Sequence, residues 1–400
     1  MKAINYGWVI VGTGLFVKMS GLGFGRFAYP MLIPSMRESL RFNYIEMGFL
    51  NGAILLGYLL FSLISGILIT RFGAKRIAIA SLLCGALSMF AISRLSGFFP
   101  LLFFSFAMGA GGAGTLISIT TLPMAWFDRK KLGRALGITT GGTGFGIIVT
   151  GLVLPYMLMN VGKEAWRQCW LLLALATFLV AFAGWVLLKE KPRHAVASLS
   201  SPEGEKEYVP HAGEGSGFTL KALIISYFIF GFAYNIYTTY FVAYMVEEIG
   251  FSEKTAGNIW AIFGWMCMGS GLLWGFISDN LGRRKALIWN NGIISLAVLF
   301  AFLFHQPFFL VCSAFLFGAT FLGTITIIAA MVGDQMFSKR ATVYGLVTLI
   351  HGIGQFLGTT FGGYLRDATG SFRLSLIFSL AGFLCCLAMA VFSRKRYDQG

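Results

Sequence analysis

The chain has 400 residues, of which 57% are hydrophobic and only 12% are charged, with a formal net charge of +15. This composition excludes an ordinary soluble globular domain, in which about a quarter of the residues are charged. A helix needs roughly 20 apolar residues to cross a bilayer, and the chain contains many stretches of that length. The sequence therefore predicts an all-α, polytopic membrane protein.

Taken in chain order, the apolar stretches predict twelve transmembrane helices. The first stretch continues past Gly25 with no small-residue cleavage site behind a short apolar core, which favours a spanning helix over a cleavable signal. The predicted helices begin near Tyr6, Ile45, Arg76, Phe98, Gly133, Gln168, Leu220, Thr255, Ala286, Pro307, Ala341 and Arg373.

Predicted helix one carries two basic residues within its apolar stretch, Lys18 and Arg26. Lys18 lies about 17 Å into the helix from Gly7, near the bilayer middle, and Arg26 lies about 12 Å further on. All 16 acidic residues fall in or beside loops, so no carboxylate is available to neutralise these charges. The pair predicts an anion-binding site, to which we also assign Tyr29. The competing interpretation is a purely structural role.

A short motif between predicted helices two and three recurs between helices eight and nine. The first copy reads GILITRFGAKR from Gly66, and the second reads GFISDNLGRRK from Gly275. Both contain a glycine, three mostly apolar residues, a polar residue, a two-residue spacer, a second glycine and basic residues. A repeat at about half the chain length predicts two homologous helical halves.

This motif resembles the corresponding loops of the major facilitator superfamily, and the resemblance spans essentially the whole chain. It implies two pseudo-symmetric six-helix halves, residues 1–189 and 220–400, joined by a cytoplasmic linker, 190–219. The acid at Asp279 resembles the family's gating acid, whereas Thr70 stands at its place in the first copy, so we expect an asymmetric latch. The gating candidates are Gly66, Thr70, Gly73, Arg76, Gly275, Asp279, Gly282, Arg283 and Arg284.

Two further stretches resemble particular members of this superfamily. GFGRFAYPMLIPSM, from Gly23, and the helix-eleven stretch with Gly354-Gln355 resemble the uncharacterised YbfB/YjiJ type of this superfamily. The glycines before Pro155 and the ending Asp367-Ala368-Thr369-Gly370-Ser371 also resemble monocarboxylate transporters and oxalate:formate antiporters, which carry small organic anions. We attribute the helix-five glycines themselves to close packing between the halves.

The sequence departs from those anion transporters at their charged positions. The segment of helix eight from Asn258 to Ser278 contains no charge and so lacks the Asp/Arg pair of monocarboxylate transporters. Helix eleven has His351 where oxalate:formate antiporters have a lysine. His351 and Gln355 share a helix face, and histidine titrates near physiological pH, so His351 is also the proton-coupling candidate. Tyr234 and Asn235 of helix seven complete the predicted substrate site. For each of these four residues, the competing interpretation is ordinary packing between helices.

The distribution of basic residues predicts the orientation. Placing both termini in the cytoplasm gathers most lysines and arginines on the inner side, as is typical of a bacterial plasma-membrane protein. The net charge therefore indicates topology rather than nucleic-acid binding. The six cysteines, of which Cys385 and Cys386 are adjacent and the others scattered, show no metal-ligand spacing, and the sequence contains no phosphate loop or catalytic triad. We expect no cofactor, no metal and no enzymatic activity, and a functional monomer in membrane lipid.

These observations predict a secondary transporter of a small organic anion, coupled to protons or exchanging one solute for another. A drug or metabolite efflux antiporter with a broad, aromatic-lined cavity is the alternative. A membrane sensor that no longer transports is a more remote one, suggested only by Thr70.

Overall fold

The computed structural model describes residues 6–127, 129–162, 164–190, 220–335 and 340–393. Within these ranges the chain forms twelve long helical segments, because a peptide group in hydrocarbon must find its hydrogen-bond partner inside the segment. Helix α1 comprises Tyr6–Lys18, Met19–Phe24, Gly25–Phe27 and Tyr29–Leu40. Helices α2 to α12 are Tyr44–Phe72, Ala74–Arg94, Phe98–Met124, Arg129–Val161, Ala165–Leu187, Leu220–Ala243 (continued by Tyr244–Glu248), Glu253–Leu281, Arg283–Leu303, Pro307–Gln335, Arg340–Thr369 and Arg373–Phe392.

The length and composition of these helices fit a membrane. Eleven spans within the described residues are long and apolar enough to cross one. The other long helix, α11, has 30 residues and a more polar sequence. It packs on α2 and α7, where its His351 and Gln355 are buried. The predicted all-α membrane fold is therefore confirmed.

The helices pack as two groups of six with equivalent neighbours. In the first group α4 packs on α2 and α3, while α3 packs on α6 and α1 on α5. In the second group α10 packs on α8 and α9, while α9 packs on α12 and α7 on α11. The groups meet through α2 against α11 and α5 against α8. The predicted linker boundaries remain a prediction, because 191–219 lie outside the described residues.

The repeated motif folds into the same turn in both halves. Gly73 has φ 89° and ψ 151°, and Gly282 has φ 85° and ψ 148°, a conformation that residues with a Cβ rarely adopt. Both turns lie at the end of the bundle that holds Tyr6 and Phe392. We call this the terminal end and the opposite one the distal end.

Helix α1 changes its form between the two predicted basic residues. Met19–Phe24 is a π-helical turn, which inserts an extra residue relative to an α-helix. Glycines let this turn approach α5, since a Cβ on Gly23 would lie 2.6 Å from the Cα of Gly146. As a result Lys18 faces α5, whereas Arg26 faces α7 and α11.

Glycines also bring the two halves together at α5 and α8. A Cβ on Gly151 would lie 2.7 Å from the carbonyl oxygen of Gly257, and one on Gly144 would lie 2.7 Å from that of Gly264. These backbones therefore touch with no side chain between them. Packing between the halves therefore accounts for Gly144 and Gly151, whereas Gly142 and Gly146 pack against α1 of their own half.

Candidate functional site

Arg26 lies where α1 of the first half meets α7 and α11 of the second. Its Nη2 donates to the hydroxyl of Tyr234 at 2.5 Å and to Oε1 of Gln355 at 3.0 Å. Both partners are neutral and buried, whereas Arg26 is half-buried. Within the described part of the chain, its Nε and Nη1 make no hydrogen bond. Arg26 is therefore a cation between the halves with unused donors.

The second half supplies a rigid wall beside Arg26. The amide Nδ2 of Asn235 donates to the backbone oxygen of Gln355 at 3.0 Å. The Nδ1 of His351 lies 2.9 Å from the backbone oxygen of Tyr227, so Nδ1 carries a hydrogen, because a carbonyl only accepts. The imidazole stacks on the Tyr227 ring with centroids 3.9 Å apart. Nε2 is left as the position that can gain or lose a proton.

Most of the predicted substrate residues thus form one cluster, which joins α1, α7 and α11. Its members are Arg26, Tyr234, Asn235, His351 and Gln355.

The other two predicted substrate residues make their hydrogen bonds elsewhere. The Tyr29 hydroxyl donates to the backbone oxygen of Met47 on α2 at 2.8 Å. Lys18 is only 2% exposed, and its Nζ donates to the Thr140 hydroxyl at 3.3 Å. Both contacts lie within the first half. Lys18 and Arg26 are therefore two separate cations rather than one pair.

Two tyrosines near this cluster were not predicted from the sequence. Tyr58 of α2 and Tyr344 of α11 are half-buried, and Tyr58 lies in electrostatic range of Arg26, Tyr234 and Tyr344. A signal was present on α2, since Asn51 and Tyr58 are seven residues apart and share a helix face. Phenols from both halves, Tyr58 and Tyr234, therefore lie in electrostatic range of Arg26.

Asn51 was also missed, and it joins the halves one layer closer to the distal end. Its Nδ2 donates to the hydroxyls of Thr239 at 2.8 Å and Thr359 at 3.2 Å. All three side chains are buried. The amide therefore holds α2 against α7 and α11.

At the distal end, polar contacts close the junction of the halves. Asp367 of α11 accepts hydrogen bonds from the backbone N–H groups of Tyr44 at 3.0 Å and Ile45 at 2.8 Å, in the first turn of α2. Arg37 of α1 pairs with Glu247, which follows α7, at 3.2 Å. The Arg37 guanidinium also lies 4.8 Å from the Tyr44 ring centroid. We call Arg37, Tyr44, Glu247 and Asp367 the distal clamp.

At the terminal end, the predicted gating charges of the second copy bind within their own half. Arg283 pairs with Asp279 and donates to Oδ2 of Asp334 on α10 at 3.0 Å. Arg284 donates to the backbone oxygens of Ala390 at 3.1 Å and Val391 at 2.5 Å, at the end of α12. These charges therefore fasten α8, α9, α10 and α12 together.

The first copy of the motif is held differently. The Thr70 hydroxyl donates to the Ile67 backbone oxygen at 2.8 Å. The carboxylate that reaches this turn is Glu190, which accepts from the Lys75 N–H at 2.8 Å. Arg76 is exposed. The glycines that open the two copies have few neighbours. A Cβ on Gly66 would meet nothing within 4 Å, and one on Gly275 would lie 3.6 Å from Thr326 Cγ2. The gating role of these residues remains a prediction.

Two equivalent six-helix bundles, a repeated glycine turn and a polar centre between the halves define a transporter of the major facilitator superfamily. Within it, the chain belongs to the family described as the uncharacterised MFS-type transporter YbfB, whose profile matches residues 18–392. The superfamily and the YbfB-type resemblance predicted from the motifs are confirmed.

Curated relatives resemble the chain along nearly its whole length. The hexuronate transporter of Bacillus subtilis is 24% identical over 394 residues, covering 91% of this chain and 88% of the relative. A putative tartrate transporter of Agrobacterium vitis is 23% identical over 404 residues, covering 92% and 89%. A solved bacterial homolog of the human lysosomal transporter Spinster, inward-facing and unoccupied, matches with TM-score 0.78 at 16% identity over 98% of each chain. At that identity the likeness shows the fold alone.

Proposed function

We propose that this protein carries a small organic anion across the membrane by alternating access, with Arg26 as the anion-binding residue. The observation that carries the proposal is a guanidinium between the halves with neutral partners and two unused nitrogens. A cation in hydrocarbon is costly, and a carboxylate that accepts a hydrogen bond from one of the unused nitrogens would offset that cost. Names of relatives that specify hexuronate and tartrate support an anionic substrate.

The packing between α2 and α11 supports alternating access. Near the distal end the helices touch, since a Cβ on Gly48 would lie 2.9 Å from the Thr359 backbone oxygen. Near the terminal end, a Cβ on Gly66 or Gly345 would meet nothing within 4 Å. These contacts support a conformation in which the described helices are closed at the distal end and substrate exchanges with the terminal side. Transport requires the distal clamp to open and the terminal side to close.

We place the terminal end in the cytoplasm and the protein in the bacterial plasma membrane as a functional monomer. The excess of basic residues on the terminal side supports the orientation. Reporter proteins fused after Gln399 and within 203–214 test it, and an external signal from either would contradict it.

His351 is the residue that we propose for proton coupling. Its imidazole lies in electrostatic range of Arg26, so a protonated His351 would place two cations in one buried site. A bound anion at Arg26 compensates the second charge. Substrate and proton therefore favour each other's binding, as symport requires.

Binding measurements on Arg26 variants test the anion site. A hydrogen bond to a charged group contributes about 1.5–3 kcal/mol, so Arg26→Gln should weaken anion binding roughly ten- to a hundredfold. Arg26→Lys should restore only part of it, because a point charge replaces a planar fork. Arg94→Gln, at an exposed distal arginine, is the matched control and should bind like the wild type. Unchanged affinity in a well-folded Arg26→Gln variant would refute the proposal.

A second candidate is the efflux of lipophilic solutes. The observation in its favour is the aromatic lining, in which Phe321 packs on Tyr234 with ring centroids 5.1 Å apart. Titration with lipophilic cations separates the two functions. Tight cation binding that survives Arg26→Gln would favour efflux.

A further inference from the structure

A groove on the outer face of the second half lies between α8, α9 and α10. Its volume is about 390 Å³, within the range of about 300–1,000 Å³ that is typical of small-molecule sites. The residues that line it include Ile277 and Leu281 of α8, Trp289 and Ile293 of α9, and Leu316 and Ala319 of α10. Leu281 and Trp289 are 51% and 64% exposed, so the groove opens toward the surrounding hydrocarbon. We call it the second-half groove.

Two further side chains in the wall of this groove have polar atoms that the protein already uses. The Trp274 Nε1 donates to the backbone oxygen of Ala319 at 2.8 Å. The Thr320 hydroxyl donates to the backbone oxygen of Leu316, also at 2.8 Å. A polar group placed against this wall would lose its hydrogen bonds to water and gain none in return. The body of an occupant must therefore be apolar, as an acyl chain is.

The rim of the groove nearest the terminal end is basic. Lys285 lies on α9 four residues before Trp289, so the two side chains share a helix face. Lys285 is exposed, and within the described residues neither its Nζ nor the Trp289 Nε1 makes a hydrogen bond or an ion pair. The carboxylates of this turn, Asp279 and Asp334, pair with Arg283 instead. A free cation and a free N–H donor at one end of an apolar groove match an amphiphile with an anionic head.

The first half presents a different surface at the equivalent positions. In the register of the repeated motif, Lys285 corresponds to Arg76, which is exposed as well. Trp289 corresponds to Ala80. The first half thus keeps the cation but has a methyl group in place of the indole. The repeat therefore supplies a matched control at the same end of the bundle.

We propose that the second-half groove binds a phospholipid with an anionic head group, taken from the leaflet at the terminal end. One acyl chain lies along the groove, and the phosphate accepts hydrogen bonds from Lys285 and from the Trp289 indole. A chain that leaves the bilayer gains no hydrophobic free energy, so van der Waals packing holds it in the groove. The contacts of the head group then determine which lipid is selected. The site lies on the outer face of the bundle and does not depend on which solute is carried.

The test measures the first lipid bound to the purified full chain, by native mass spectrometry in detergent. The two probes are phosphatidylglycerol and phosphatidylcholine with identical acyl chains. Wild-type protein should bind phosphatidylglycerol about fivefold more tightly, the preference expected from one lysine at an anionic head group. Lys285→Gln should abolish this preference and leave phosphatidylcholine binding unchanged. Arg76→Gln, the matched control, should keep the preference.

A second variant tests the groove itself. Ala319→Phe places a ring in the groove and should weaken binding of both lipids, while a single peak in detergent chromatography checks the fold. Lys285→Gln changes only an exposed side chain, so it decides the preference even if Ala319→Phe does not fold. Arg26→Gln should change neither lipid affinity, which separates this site from the proposed anion site.

Three results would overturn the proposal. The first is equal affinity of the wild type for the two lipids. The second is a preference for phosphatidylglycerol that survives Lys285→Gln. The third is a wild-type dimer that Ala319→Phe converts to monomers, because a second copy of the chain would then cover the groove in place of a lipid.

Discussion

The distal clamp provides a sharp test of alternating access, because one of its bonds has a counterpart within a single half. Asp367 of α11 caps the first turn of α2, across the halves. Glu248 caps the start of α12 in the same way but within the second half, accepting from the Phe372 N–H at 2.7 Å and the Ser371 hydroxyl at 2.6 Å. Of these two caps, only the one made by Asp367 would break if the halves separated at the distal end.

The two bonds of Asp367 set the free-energy change expected for Asp367→Asn. Asparagine at 367 keeps one acceptor oxygen but cannot accept with its NH₂ group, so Asp367→Asn loses one charge-assisted bond of about 1.5–3 kcal/mol. It also loses a negative charge at a helix N-terminus, worth about 0.3–1 kcal/mol. Asp367 is exposed, and solvent screening reduces the total to about 1–2 kcal/mol. The equilibrium should therefore shift toward the distal-open state about five- to thirtyfold.

Distances between spin labels in the distal connections measure this shift. Labels at Phe99 and Gln306, both exposed, report the separation of the halves once the six native cysteines are replaced. Asp367→Asn should add a population with a longer distance. Glu248→Gln should lower thermal stability without changing the distance distribution. Identical distributions for Asp367→Asn and the wild type would refute the assignment of Asp367 to a state-dependent latch.

Three further predictions follow from the site and the packing. Anion binding should be accompanied by uptake of a proton in the wild type but not in His351→Gln. Calorimetry in buffers of different ionisation enthalpy measures this uptake, and equal uptake in both proteins would exclude His351 as the proton site. Asp279→Asn should impair transport more than Thr70→Asn, and Arg283→Gln most, since Arg283 bonds both Asp279 and Asp334; equal effects would contradict an asymmetric latch. Gly109→Val should prevent a folded peak in detergent chromatography, because its side chain would overlap the Ile54 carbonyl, whereas Gly85→Ala, with nothing within 4 Å, should not.

Much of the fold follows from local sequence. Helices predicted to begin at Phe98, Leu220, Pro307 and Arg373 begin at those residues, because an apolar run with a clear start leaves little choice in a membrane. Helix one was less predictable. Its composition indicates a single span, but the π-helical turn depends on how closely α4 and α5 approach its glycines.

The candidate site was only partly predictable, because its contacts depend on how the halves meet. Arg26 bonds Tyr234 and Gln355, which lie 208 and 329 residues away in the chain. Charge and polarity within apolar stretches were sufficient to select these residues. Charge and polarity could not show that Lys18 and Arg26 face different helices, because the π-helical turn sets where each side chain points. They also could not find Glu190, which caps a turn 115 residues away from it.

The bonds of Arg26 to the second half have a kinetic consequence for the carrier. On the proposed alternating-access cycle, these bonds would have to break in the empty protein before the halves could rock, so they would slow the return of the unloaded carrier. An anion that took over the guanidinium would replace these bonds and remove that barrier. Turnover should therefore be fastest when substrate is present on both sides of the membrane. In that cycle the unloaded return would limit net flux, and exchange of one anion for another would avoid that step.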